Sequence, residues 1–252
     1  MSQQAKAETF RALHKSSEPL ILFNTWDVGS TRAVSKAGAK AIATSSWSIA
    51  AAQGFGDGEK LSREVLLGVV GQIVASTDLP VTVDLESGYG KDADAVAQTV
   101  RMSIEAGVIG CNLEDSDPAT GRLRPLDEVI QRIEAARRAA TDACPGYFIN
   151  IRTDVFFQKP AAEHDAAMAQ DVIERAKRYA EAGADGLFVP GLTDVPLIRH
   201  IASASPLPLN IMRTSDDLVI SDLAEAGVAR ISHGPYPYLV AMSALERVAK
   251  VS

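Results

Sequence analysis

At 252 residues, with 46% apolar and 23% charged residues, the chain has the composition of a folded protein with a sizeable core, which excludes a disordered chain. Its formal charge of −7, with no local block of Lys or Arg, excludes a nucleic-acid surface and points to small partners. No apolar run approaches the roughly 18 to 20 residues that cross a bilayer. The polar start from Met1 to Pro19 lacks a signal-peptide core, and Cys111 and Cys144 fall in no CxxC or Cys/His spacing. A reduced, cytoplasmic setting without membrane contact is the expectation.

In chain order, eight short β-rich runs are predicted at Leu20 to Phe23, Ala41 to Thr44, Pro80 to Leu85, Gly110 to Leu113, Phe148 to Ile151, Gly186 to Val189, Leu207 to Ile211 and Arg230 to Ser232. Polar or Gly-containing residues follow each run, and then a segment with helical periodicity. Runs two, four, six and eight are preceded by nearly one phrase: Lys36-Ala37-Gly38-Ala39, Glu105-Ala106-Gly107-Val108, Glu181-Ala182-Gly183-Ala184 and Glu225-Ala226-Gly227-Val228. Gly just past the last helical turn takes a left-handed conformation cheaply and lets the chain turn straight into a strand. Strands alternating with helices through such short turns must be parallel, and eight right-handed units close most naturally into one (β/α)8 barrel spanning residues 1–252. The alternative, an open doubly wound sheet, would be expected to carry GxGxxG after the first strand, and none is present.

In such a barrel the chemistry belongs at the C-terminal ends of the strands. There the sequence places Asp84 and Glu86, two apart and so expected on one side of a strand, with glycines behind them. Glu114 arrives from the next strand and Asp57 from the loop after strand two. Carboxylates gathered this way repel unless a cation joins them, and hard oxygen donors without His or Cys suit Mg2+ or Mn2+. For Asp57 and Glu114 the rival reading is a salt bridge or a helix cap, and it weighs about evenly. Arg152, at the end of strand five, is a fixed cation suited to a substrate carboxylate or oxyanion, with pairing to Glu114 as its alternative. The Ser45-Ser46-Trp47 turn offers a hydroxyl and successive amides to an anion.

At these residues the sequence resembles the isocitrate lyase / phosphoenolpyruvate mutase family, from Pro19 to about Tyr238. The likeness runs through Phe23-Asn24-Thr25-Trp26-Asp27, Ser45-Ser46-Trp47, Asp57-Gly58, Asp84-x-Glu86-x-Gly88-Tyr89-Gly90, Asn112-Leu113-Glu114-Asp115, Arg152-Thr153-Asp154 and Leu209-Asn210-Ile211. The resemblance implies a Mg2+-dependent barrel that makes or breaks C–C or P–C bonds next to a 2-oxo acid through an enolate-like state. By the same resemblance Asp84 is the direct metal ligand, and Asp57, Glu86 and Glu114 hold the metal largely through its waters. Ser45 with the amides of Ser46 and Trp47 then grips the substrate, Arg152 stands beside it, and Asn210 binds a carboxylate.

Two departures from the family pattern matter. Glu86 stands where the family usually has Asp, and the loop Ser116 to Leu123 has none of the Cys, Lys or His that serve isocitrate lyases, nor the Lys and Asn of the phosphonate enzymes. The loop thus leaves the reaction unassigned, and the leading expectation is a lyase or decarboxylase acting on a small 2-oxo or 2-hydroxy carboxylate. A phosphonate hydrolase or mutase and a non-catalytic 2-oxo-acid binder are its rivals. Asp117 and His233 are the candidate proton donors, with a turn residue and a buried structural histidine as their plain alternatives. Family members exchange the last barrel helix between subunits, so Tyr236 to Lys250 is expected to take part in a homodimer or homotetramer.

Overall fold

The computed structural model describes residues 1–16 and 18–250. Eight parallel barrel strands are present. The first, β1, is in two pieces, Leu20–Leu22 and Asn24–Thr25. It is followed by β2 (Ile42–Thr44), β3 (Val81–Asp84), β4 (Gly110–Glu114), β5 (Phe148–Arg152), β6 (Gly186–Val189), β7 (Leu209–Met212) and β8 (Arg230–Ser232). Each strand pairs in parallel with its sequence neighbours. The break at Phe23 lets β1 close the ring, its first piece pairing with β8 and its second with β2. This closure rules out the open sheet.

The helices between strands are α2 (Val28–Lys36), α3 (Ser46–Ala52), α4 (Arg63–Ala75), α5 (Ala93–Glu105), α6 (Leu126–Ala143), α7 (Ala166–Glu181), α8 (Val195–Ala204) and α9 (Ile220–Glu225). A leading helix, α1 (Gln3–Ala12), and a final one, α10 (Tyr236–Ala249), flank them. Serine or aspartate side chains at Ser45, Ser62, Asp92, Asp165 and Asp194 accept an amide of the first turn, so helix starts are written locally into the chain. The four pre-strand glycines all have positive φ, from 91° to 101°. At Gly107 and Gly183 a Cβ would also lie 2.8 Å from Val74 Cγ1 of α4 and 2.7 Å from Arg137 Cγ of α6, so each turn is packed against the neighbouring helix.

Inside the ring the middle layer is polar. Asn150 donates to Asn112 and Asn210, and the fully buried Arg230 donates to Asn112. Below it, α1 plugs the N-terminal end of the barrel: Phe10 meets Phe148 edge-on, and His14 stacks on Phe148 at 4.2 Å. The opposite end, where the strands finish, is left open for chemistry. Among the described residues no helix is long and apolar enough to cross a membrane.

Candidate active site

The turn after β2 is organised by Ser45. Its hydroxyl accepts from the Ser48 amide (3.2 Å) and hydroxyl (3.0 Å), capping α3. Ser45 thus orders the turn, and Ser46 reaches the neighbouring strand: its amide and hydroxyl donate to Asp84 Oδ2 at 3.2 and 2.7 Å. The cap uses Ser45 Oγ as an acceptor, and the hydroxyl that reaches Asp84 is that of Ser46. Asp84 is held from behind, its amide donating to Thr44 Oγ1 at 3.0 Å.

Strand alternation does not carry past Asp84. Glu86 lies beyond the end of β3 with φ +48°, so it turns away from the line that alternation predicts. It is buried, accepting from the Tyr89 hydroxyl at 2.8 Å and from the Glu59 amide at 2.6 Å. Glu59 in turn accepts from the Ser87 hydroxyl and the Tyr89 amide. Glu59 and Tyr89 also have positive φ, so two loops from separate strands lock together in conformations rare for residues with side chains. Sequence reading missed both partners. Their signals were Tyr89 set between Gly88 and Gly90, and Glu59 directly after Gly58.

Glu114 and Arg152 face each other across β4 and β5, with Arg152 Nη1 donating to Glu114 Oε1 at 2.6 Å. Arg152 also clasps Asp154 through Nε (2.6 Å) and Nη2 (3.3 Å). Three of its five N–H groups are spent on these acids, and one on each terminal nitrogen stays free for an anion. Asp115, buried behind them, accepts from the Thr153 hydroxyl, the Asp154 amide and the Tyr179 hydroxyl, and so acts as a brace.

Charge at the rim is one-sided. Burial, with the charge of Asp84 among the further causes, pushes the Glu86 carboxyl up to about 7. Burial raises Glu114 well above the usual range against the opposing pull of Arg152. Partial desolvation and Asp84 likewise raise Asp57 at the lip. Burial and neighbouring negative charge both penalise the ionised acids, and an oxygen donor set of this kind fits a hard divalent ion. Yet among the described residues no three His, Cys, Asp or Glu side chains converge closely enough to bind a metal together. The four acids expected around one metal do not converge here: Glu86 is drawn to Tyr89, Glu114 to Arg152 and Asp84 to Ser46.

Other expected site residues take different stations. Asn210 is fully buried, its amide nitrogen donating to Ile211 O, Arg230 O and Ser232 Oγ and its oxygen accepting from Asn150. Its two N–H groups are shared among those three acceptors within the barrel in this arrangement. His233 is buried and stacked on Phe23 at 4.1 Å, with Nδ1 against Leu22 O. Its Nε2 has no partner, and burial lowers its pKa, which disfavours the protonated ring that a proton donor needs. Asp117 accepts from the Ala119 and Thr120 amides and pairs with Arg124 at 3.5 Å; those amides hold its pKa below the usual carboxylate range. The loop around it is a self-closed hairpin, bridged between Ser116 and Leu123.

Residues 10–251 match the family model described as phosphoenolpyruvate phosphomutase. The chain is 31% identical to 2-methylisocitrate lyase of Escherichia coli (strain K12), covering 99% of this chain and 84% of that one. It is 32% identical to an uncharacterised protein of Mycobacterium tuberculosis (strain ATCC 25618 / H37Rv), covering 96% and 88%. A solved structure from Burkholderia cenocepacia J2315, provisionally assigned as a phosphonomutase, is similar with a TM-score of 0.97 at 55% identity, with 99% of both chains covered. The barrel, the acid rim and these likenesses agree: the chain belongs to the isocitrate lyase / phosphoenolpyruvate mutase family of enzymes, which embraces carbon–carbon lyases and mutases.

Proposed function

We propose that the protein is a Mg2+-dependent lyase or decarboxylase, with Mn2+ able to substitute, that cleaves the C–C bond beside a small 2-oxo or 2-hydroxy carboxylate through an enolate-like state. The observation that carries this reading is Asp84 at the end of β3, facing the Ser46 amide and hydroxyl at 3.2 and 2.7 Å, with Glu86 and Glu114 on the adjoining rim. When bound, the metal supplies a Lewis acid for the 2-oxygen and the positive charge that the rim lacks. Asp84 makes the direct contact. Asp57, Glu86 and Glu114 serve through water, since Glu86 and Glu114 are already engaged by Tyr89 and Arg152.

The Trp47 amide and the two free N–H groups of Arg152 are the donors for the substrate carboxylate and the developing oxyanion, and the Ser46 amide and hydroxyl, which donate to Asp84 in this structure, would join them on release from it. Ser45 orders their turn, Asn210 fills the layer beneath, and His233 walls the rim at β8. Asp117, whose carboxylate accepts the Ala119 and Thr120 amides of its own turn, and His233 remain the candidate donors of the proton that quenches the enolate. A second reading, cleavage or rearrangement of a P–C bond, is favoured by the 55% identity to the provisionally assigned phosphonomutase.

Incubation with Mg2+ and a panel of 2-oxo, 2-hydroxy and phosphonate acids, read by proton and phosphorus NMR, separates these readings. Metal-dependent C–C cleavage that stops with EDTA is the expected outcome. Turnover confined to phosphonates establishes the second reading, and oxalate or pyruvate binding without any product overturns both.

We also propose that α10 seats on a second copy of the chain, giving a homodimer or homotetramer. No residue of α10 is buried, and Leu239, Val240, Leu245 and Val248 face solvent. The place a closing barrel helix would fill, between α2 and α9, is instead a groove of about 740 Å3 lined by Leu20, Ile21, Phe23, Ala33, Val34 and Ile220. Burying each such aliphatic side chain contributes about 1.5–3 kcal/mol. A monomeric mass by light scattering rejects the exchange.

A further inference from the structure

The loop that carries Glu86 and Tyr89 owes its shape to a residue remote in sequence. Carbonyl groups of Ser87, Gly90 and Lys91 all accept from Arg132 of α6: Nη1 reaches Ser87 O at 3.3 Å and Gly90 O at 3.1 Å, and Nη2 reaches Gly90 O at 3.1 Å and Lys91 O at 2.9 Å. The remaining N–H, on Nε, goes to Glu128 Oε1 at 3.2 Å. All five donors of this buried guanidinium are used. A planar fork satisfied in this way fixes three carbonyls relative to one helix, which a flexible ammonium could not do.

The loop has no freedom to relax elsewhere. A Cβ at Gly90 would stand 2.2 Å from Ala95 Cβ, so the backbone is already pressed against α5. A void of about 10 Å3, the size of one water, is bounded by Ser87, Glu114 and Arg132, which sets the clamp directly behind the acid rim. On its outer side Glu128 also accepts from Arg124 Nη1 at 2.8 Å, and Arg124 reaches Asp117 at 3.5 Å. One charged strut on α6 thus runs from the loop after β3 to the hairpin after β4. An apolar side chain would fill the place of Arg132 at lower desolvation cost, so the guanidinium is not explained by packing.

We infer that Arg132 is a positioning residue for the acid rim: it holds residues 87–91 so that Glu86 and Tyr89 stand where a divalent ion needs them. The inference rests on the metal reading above. Mn2+ titration followed by electron paramagnetic resonance on the unmodified protein, Arg132→Met and Arg132→Lys, alongside the metal-free melting temperature, tests it. Arg132→Met is expected to weaken Mn2+ binding roughly tenfold or more, the scale typical of residues that orient metal ligands. Arg132→Lys, which reaches fewer carbonyls, falls between. A side chain with only a folding role would lower the metal-free melting temperature and leave the Mn2+ affinity of the folded protein unchanged; that result overturns the inference. Where Arg132→Met does not fold, Arg132→Lys decides alone, a change below roughly twofold overturning and a larger one supporting. Absence of Mn2+ binding to the unmodified protein overturns the metal reading itself, and this inference with it.

Discussion

At Asp84 the demands of stability meet those of the proposed chemistry. Its charge is among the causes that raise the pKa of Asp57, Glu86 and Glu114, so without a cation it strains the rim that it anchors. Asp84→Asn keeps an oxygen for the Ser46 hydroxyl and removes that charge. The metal-free melting temperature should move by no more than roughly 2–4 °C, because the lost charge relieves those acids but also served Arg152 and the buried Arg230. Metal-dependent turnover should fall by a factor on the order of 100 or more, as expected when the group that places the electrophile is lost. Melting curves with and without Mg2+, beside a turnover assay, check both halves. At this scale the acids and Arg152 were legible because residue type and strand-end position suffice to nominate them. Their partners were not: Glu86 leaves the strand at φ +48° to meet Tyr89 and Glu59, and no periodicity within one strand encodes a lock between two loops.

Among elements, the helix-to-strand turns were legible to the residue, since the Gly phrases before strands two, four, six and eight mark positions where φ is positive. They are not equivalent in cost. Gly38 has open space around its missing Cβ, so Gly38→Ala should lose only the backbone strain, about 1 kcal/mol. Gly107→Ala adds a clash with Val74 at 2.8 Å and should lose about 2–4 kcal/mol in all. Urea unfolding of the pair measures the difference. The hairpin of residues 116–123 was readable by what it lacks but not by what it does. Its one acid is spent on its own backbone amides, and Asp117→Asn, which retains those acceptors, should change turnover by less than about threefold and stability hardly at all. A loss of turnover beyond that range would single out Asp117 as the proton donor.

For the whole molecule, eight regularly spaced strands and the absence of a dinucleotide-type turn were enough to reach the barrel, but ring closure depends on β1 breaking at Phe23 to pair on both sides, which no local pattern displays. Nor did the sequence disclose how the lower end is sealed. Helix α1 brings His14 onto Phe148, and burial together with the charges of Arg230 and Arg11 pushes its pKa down to about 3, against a usual value of 6.5. The folded protein therefore keeps His14 neutral through a range in which the unfolded chain binds a proton. Stability from this residue is intact above pH 6.5 and is lost progressively as the pH falls from there toward 3, reaching up to about 2 kcal/mol at pH 5. The melting temperature should fall by roughly 5 °C between pH 7.5 and pH 5 on this account. His14→Phe keeps an aromatic ring on Phe148 and removes the titrating group, so its melting temperature should fall less over the same interval. Equal slopes for the two proteins would place the acid sensitivity elsewhere, with the rim carboxyls excluded as its cause: Glu86, held protonated up to about 7, contributes stability that is lost as the pH rises from about 4.5 to 7, the opposite sign.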